Sequence, residues 1–404
     1  MFSDLLNRDF IFFDGAQGTM LQKRGLKAGE RPDIMNITAP EAVEDVQRQY
    51  VAAGSDLVYA NSFGANALAL KGTGYSPAEI ISAAVAITKR ACGDGAYAAL
   101  DIGPIGELLE PFGSVTFEAA YELFREQAVA GQTAGADVAA IETMSDLREL
   151  KAAILAVRHN TQLPLFATMT FTKSGRTFTG CCPESFAIMA ERLGASAIGI
   201  NCSLAPVEMR DTAARIAEMT SLPLIVKPNA GLPNSAGEYD LGAAEFALQM
   251  AEYAAIGVKI VGGCCGSSPE YISELRRVFG TLTPGCAEKA AGQFICTPTR
   301  FERLDGLRIA DDTPASPDDA IDAAACQAAG DDKIITINLP GGCTPEDAAS
   351  IVVSVQEQTD KPVAIIGGTA LVMDAALRAV NGIAAVRGIG DISEAARRYG
   401  AVEI

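Results

Sequence analysis

Three cysteines in this chain have the type and spacing to hold one metal ion. Cys264 and Cys265 are adjacent, lie in Gly262-Gly263-Cys264-Cys265-Gly266, and follow the β-type apolar run from Gly257 to Val261. Cys202 follows a similar run, Ala197 to Asn201. Three thiolates at the ends of two strands suit a soft ion such as zinc. They leave one coordination position open, as catalytic zinc sites do and structural ones do not. The competing reading is three buried cysteines packing as small apolar residues. Strand-end placement, flanking glycines and the vicinal pair favour the metal.

Asp14 and Glu142 are carboxylates at the ends of two other apolar runs. They suit an ammonium group; the competing reading is N-capping of the turn or helix that follows. A sugar substrate is disfavoured, because the chain has no tryptophan to form a platform. The single histidine, His159, falls at the far end of a helical stretch just before a strand. It reads as a surface residue at a helix C-terminus, not a ligand or base. Cys181-Cys182 precede a helix opened by Pro183 and read as packing or lining residues. Cys92, Cys286, Cys296, Cys326 and Cys343 belong to no constellation.

Short apolar runs positioning these residues are expected at Phe10–Phe13, Leu57–Ala60, Ala96–Leu100, Asp137–Ile141, Leu165–Met169, Ala197–Ile200, Leu224–Val226 and Val258–Val261. Ala-rich stretches of helical period separate them, and an eighth, Pro269–Phe279, follows. Strand–helix alternation gives a parallel sheet. Eight units in roughly 280 residues favour a closed (β/α)8 TIM barrel, with its active site just past the C-terminal strand ends. No G-x-G-x-x-G opens a first helix, which weakens an open doubly wound sheet. Cys202 then follows strand 6 and the vicinal pair strand 8, near enough to converge. The fold class expected is α/β, a barrel followed by a small α/β domain. Its boundaries read as 1–285 for the barrel, 286–307 for a linker without periodicity, and 308–404 for the second domain.

Bulk properties bound the function. The 404 residues are 49% hydrophobic and 20% charged, a globular composition, with a net charge of −18. An acidic chain without a Lys/Arg block makes nucleic acid and membrane surfaces unsuited partners. No run approaches the ~18 apolar residues that span a bilayer. The N-terminus has no basic region followed by a long apolar one. Ten cysteines, two pairs of them vicinal, then point to free thiols in a reducing cytoplasm.

The ordered motifs Asp14-Gly15-Ala16-Gln17-Gly18-Thr19, Asn61-Ser62-Phe63-Gly64-Ala65-Asn66, Glu142-Thr143-Met144, Asn201-Cys202-Ser203, Pro228-Asn229-Ala230-Gly231 and Gly262-Gly263-Cys264-Cys265-Gly266 resemble the zinc-dependent homocysteine S-methyltransferases. The stretch from Phe171 to Gly180 is most similar to the homocysteine-binding module of cobalamin-dependent methionine synthase. The resemblance implies zinc on Cys202, Cys264 and Cys265, with Asn229 as fourth ligand when substrate is absent. It implies homocysteine as the thiol, held by Asp14, Gly15, Asn61 and Glu142, and methionine as product. No catalytic residue is implied beyond the metal-activated substrate thiol. Residues 308–404 resemble an incomplete pterin-binding barrel. No D-x-H-x-x-G cobalamin signature is present, so the methyl donor is expected from outside, with a methylcorrinoid protein or methylcobalamin favoured. Betaine or S-methylmethionine as donor, another thiol as acceptor, and a non-catalytic partner subunit of a corrinoid protein are the alternatives.

Overall fold

Runs of alternating β-type residues, each bounded by a helix stop, build the larger part of the chain as eight parallel strands. The computed structural model of the protein describes residues 2–27, 29–232, 239–307, 309–310 and 313–404. The strands are β1 (Ile11–Phe12), β2 (Leu57–Tyr59), β3 (Tyr97–Ile102), β4 (Val138–Met144), β5 (Leu165–Met169), β6 (Ala197–Asn201), β7 (Leu224–Lys227) and β8 (Val258–Val261). They pair in the order β1-β8-β7-β6-β5-β4-β3-β2, and a parallel bridge between Phe13 and Leu57 closes the ring. The Asp56 amide reinforces this seam by donating to the Phe12 carbonyl at 2.7 Å, and the Phe12 amide donates to Asp56 Oδ2 at 2.9 Å. The expected (β/α)8 barrel is therefore observed.

The crossover helices are α1 (Pro40–Ala53), α2 (Pro77–Cys92), α3 (Phe117–Ala134), α4 (Leu147–Asn160), α5 (Pro183–Arg192), α6 (Pro206–Met219), α7 (Ala243–Ala251) and α8 (Pro269–Phe279). A 3-10 turn, Glu252–Ile256, continues α7. Five of the eight open on proline, whose fixed φ suits a first helical turn that needs no amide donor.

Side chains alternate along a strand, so every second residue points into the barrel. Ile11 and Phe13, Leu57 and Tyr59, Ala99, Val138 and Ala140, Phe166, Ala197, Ile225 and Ile260 form this interior, with Leu5 packed among them. Each fully buried large side chain here contributes roughly 1.5–3 kcal/mol. Counting on by two leads to Gly15, Asn61, Asp101, Glu142, Thr168, Asn201, Lys227 and Gly262. An apolar filling thus gives way to a polar layer at the C-terminal strand ends.

Contacts divide the chain into two compact units, Met1–Thr179 with Ala195–Glu288, and Gly180–Gly194 with Lys289–Ile404. Helix α5 therefore belongs to the second unit, where β9 (Phe294–Cys296) packs on it. Strand β10 (Phe301–Arg303) pairs antiparallel with β9. This hairpin lies in the stretch expected to be a linker without periodicity; three-residue strands are too short to show one. Arg308, where the sequence reading starts the second domain, lies outside the described residues.

The second unit continues through α9 (Pro317–Ala329), β11 (Ile335–Asn338), α10 (Pro345–Gln358), β12 (Val363–Ile366), α11 (Ala370–Ala379), β13 (Ala385–Arg387), α12 (Ser393–Arg398) and β14 (Val402–Glu403). Strands β11 to β14 form a parallel sheet in sequence order.

The loop after β3 is tied to α4 by Glu149, whose Oε1 accepts the Ile105 amide at 2.7 Å. Burial pushes the Glu149 carboxyl up from 4.5 to about 7. Its contribution to stability is fully present below the unfolded value and is lost as pH rises through about 7. Glu149→Gln should remove up to about 3 kcal/mol of the fall in stability across this window. Chemical denaturation at about pH 5 and about pH 8 tests this; an unchanged slope would contradict it.

Candidate metal and substrate site

The end of β7 is the template on which the cysteines are set. The Cys202 amide donates to the Lys227 carbonyl at 3.0 Å, and the Asn229 amide to the Leu204 carbonyl at 2.9 Å. On its other side the Cys264 amide donates to the Pro228 carbonyl at 2.8 Å, and the Ala230 amide to the Cys265 carbonyl at 2.9 Å. Both cysteine loops are thereby fastened to one four-residue segment. The three Sγ atoms all lie within 4.8 Å of one another, Cys202 and Cys265 being 3.9 Å apart.

Local backbone is bent to achieve this. Thr143, Cys202 and Ser203 are the non-glycine residues with positive φ, at 62°, 62° and 63°, among the described residues. Left-handed backbone at such residues is a local cost that the surrounding structure must sustain, and it concentrates at functional sites. On the other loop a Cβ at Gly263 would fall 2.2 Å from Ser267 Oγ, so only glycine fits there. One at Gly15 would lie 2.5 Å from the same oxygen.

The sulfurs share protons. Hydrogen bonds from Cys202 and Cys264 hold the Cys265 thiol down at about 3, against the effect of burial. Cys264 in turn is pushed well above its ordinary value by its hydrogen bonds to Cys202 and Cys265, and by burial. For Cys202, a hydrogen bond from Cys264 pulls down while Cys265 and burial outweigh it, leaving about 11. Soft thiolates gathered in this way fit zinc. Asn229 Oδ1 is buried without a hydrogen-bond donor, which fits an oxygen kept for a metal.

Beside the sulfurs lies the polar layer. Lys227 is buried, with Nζ 3.2 Å from Glu142 Oε2 and held over the Tyr59 and Phe13 rings at 3.7 and 4.5 Å from their centroids. Burial lowers the Lys227 ammonium, but Glu142, Asp14, Cys264 and Asp101 outweigh it and raise the value. Asp14 Oδ2 accepts from the Tyr59 amide at 3.0 Å and from Gln17 Nε2 at 3.2 Å. Burial pushes its carboxyl up to about 7 against the pull of Lys227. Neither Asp14 nor Glu142 caps a helix: the helix Gln17–Gln22 starts after Ala16, and Glu142 lies within β4. Asn201 orders the Glu142 end, its Oδ1 accepting the Thr143 amide at 2.9 Å and Thr168 Oγ1 at 2.8 Å.

A cavity of about 270 Å³ opens here, lined by Gly15, Asn61, Glu142 and all three cysteines. Asn61 Nδ2 is already used, donating to the Pro32 carbonyl at 2.6 Å and to Asn36 Oδ1 at 3.1 Å. Cys181 and Cys182 are buried in the second unit, Cys182 Sγ lying 3.1 Å from Ser185 Oγ. Lys227, Asp101 and Asn201 stand at the strand ends where the sequence places the active site, Asn201 within one of the family motifs, but the sequence assigns them no role. Counting by two from the inward apolar residues of their own strands shows that they face the site.

The fold and site are those of a closed barrel whose mouth carries three cysteines beside a carboxylate cluster. The family model described as homocysteine S-methyltransferase matches residues 11–279, and the chain belongs to that family. It is 32% identical over 303 residues to a methionine synthase of Mycobacterium leprae (strain TN), the match covering 67% of this chain and 24% of that protein. A methionine synthase of Mycobacterium tuberculosis (strain ATCC 25618 / H37Rv) matches at 32% over 300 residues, covering 67% and 25%. The chain thus spans about a quarter of the length of these relatives. Among solved structures, the metallated form of the homocysteine methyltransferase MmuM from Escherichia coli superposes with a TM-score of 0.59 at 22% identity, covering 68% of this chain and 98% of that one. Its oxidized form gives 0.59 at 23%, covering 67% and 96%. These two share the fold.

Removing the buried ammonium leaves its carboxylate partner uncompensated. Lys227→Met should cost about 3–5 kcal/mol, and adding Glu142→Gln should restore much of it. Urea denaturation reads both; a Lys227→Met protein of unchanged stability would refute the pairing.

Proposed function

We propose that the chain transfers a methyl group from an external donor to the thiol of homocysteine, giving methionine. The observation that carries this reading is the gathering of Cys202, Cys264 and Cys265 beside Glu142 in one cavity. Those three residues would hold zinc, with Asn229 Oδ1 closing the site in the absence of substrate. When bound, zinc would supply a thiolate at neutral pH by lowering the pKa of an incoming thiol from about 8.5.

The chain's own residues do the positioning. Asp14 and Glu142 provide the negative field for the substrate's ammonium group, and Gly15 and Asn61 shape the wall beside it. Methyl transfer is an in-line displacement: the carbon–sulfur bond forms as the bond from donor to methyl breaks. Holding sulfur and methyl in line and keeping water out is what the barrel must accomplish. A methylcorrinoid protein or methylcobalamin is the favoured donor, supported by the likeness to methionine synthases.

Residues 308–404 are read as a small α/β domain, and 286–307 as the connection from the barrel at 1–285. Its four parallel strands support the likeness to an incomplete pterin-binding barrel. A reducing cytoplasm is the proposed location, supported by ten cysteines of which none forms a disulfide. No helix among the described residues is long and apolar enough to cross a membrane.

The test is methionine formation by zinc-loaded protein with methylcobalamin, betaine, S-methylmethionine or methyltetrahydrofolate. Methylcobalamin should support turnover, and Cys264→Ser should lose the metal and at least about 100-fold in rate. Full zinc retention in that variant would refute the three-sulfur site. Activity with methyltetrahydrofolate alone would overturn the donor assignment.

A further inference from the structure

Of the two carboxylates assigned to the substrate's ammonium group by family likeness, one is withdrawn from the cavity and the other is engaged. Asp14 is fully buried behind the lining residues; its Oδ2 is taken by the Tyr59 amide and Gln17, and its Oδ1 has no hydrogen-bond donor but does not line the cavity. Glu142 Oε2 is taken by Lys227 and approached by Asn201 Nδ2 at 3.4 Å. A third carboxylate, Asp101, lines the same cavity. It is 7% exposed, and its Oδ1 is buried with no hydrogen-bond donor.

We infer that Asp101 is the specificity-determining residue of the site: its free Oδ1 receives the ammonium group of an amino-acid thiol. This rests on the proposed methyl transfer to homocysteine. A buried carboxylate oxygen without a donor is a costly arrangement, and it is tolerated where a ligand supplies the donor. The substrate's ammonium has three N–H groups to give.

Position and rigidity support the assignment. Asp101 lies two residues beyond Ala99 on β3, whose side chain is in the barrel interior, so alternation aims the carboxylate into the same space. Its backbone is clamped by one side chain. Ser62 Oγ donates to the Asp101 carbonyl at 2.9 Å and accepts from the Asp101 amide at 3.2 Å. The carboxylate is thus presented without a side-chain partner of its own while its main chain is fixed.

Charge points the same way. Asp14, Asp101 and Glu142 surround the ammonium of Lys227, which is committed to Glu142 and to the two aromatic rings. Burial, then Glu142, pushes the Asp101 carboxyl well above the usual range, so a second cation arriving beside it relieves both effects. The ligand class is a small thiol with an ionised amino group. Thiols lacking one, or carrying it acylated, leave Asp101 buried and unpaired.

Calorimetric titration of zinc-loaded wild type and Asp101→Asn with homocysteine and with 4-mercaptobutanoate, its counterpart without the amino group, tests this. Wild type should prefer homocysteine by about 10–100-fold, and Asp101→Asn should abolish that preference while binding 4-mercaptobutanoate within about twofold of wild type. Equal loss of both thiols in the variant, or no loss of homocysteine, would overturn the inference while leaving methyl transfer standing. If wild type binds neither thiol, the proposed function itself falls and takes the inference with it. Should Asp101→Asn fail to fold, the wild-type ranking decides: equal affinity for the two thiols overturns the assignment.

Discussion

Three sulfur atoms from two loops stay within 4.8 Å only because a third element lies between and holds both. That element is the segment Lys227–Ala230, whose main chain accepts from the Cys202 and Cys264 amides and donates to Leu204 and Cys265. The closed ring makes this possible. Strands β6, β7 and β8 are consecutive parallel neighbours, so the residues just past them meet at the mouth. With the seam open, β1 would be an edge strand beside β8, and the vicinal pair would be freer to move away from Cys202. The bridge from Phe13 to Leu57 and the Asp56 bonds at that seam therefore matter to the cysteines.

The same segment begins the charged part of the site. Lys227 is the last residue of β7, so its main chain holds Cys202 while its side chain enters the barrel. There it rests on a stacked pair, Phe13 and Tyr59, with centroids 4.5 Å apart. The π faces and Glu142 together replace the water that a buried ammonium loses. Carboxylates and sulfurs are thus organised by one short stretch, and neither can shift without the other. The positive φ of Thr143, after Glu142, and of Cys202 and Ser203, after Asn201, shows where backbone cost is concentrated. Asn201 joins these two places through its bonds to Thr143 and Thr168.

Much of this is legible in the sequence. Apolar runs ending at glycine or a polar residue mark all eight barrel strands, and glycines such as Gly54 and Gly135 mark helix ends because only they cap readily with left-handed backbone. Cys202, Cys264 and Cys265 are legible because they follow such runs. Lys227 and Asp101 are less so. A charged residue at the end of an apolar run reads as the start of a loop, whereas both still belong to strands and point inward. The hairpin of β9 and β10, strand β14 and the grouping of α5 with the second unit are not legible. Short strands show no period, and which unit a helix joins depends on contacts remote in sequence.

Zinc-edge X-ray absorption on the metal-loaded protein, before and after homocysteine is added, bears most directly on the central claim. Three sulfur neighbours and one lighter atom are expected at rest, becoming four sulfurs with the thiol present. Fewer than three sulfurs at rest, or a shell that homocysteine leaves unchanged, would contradict an open position on three cysteines.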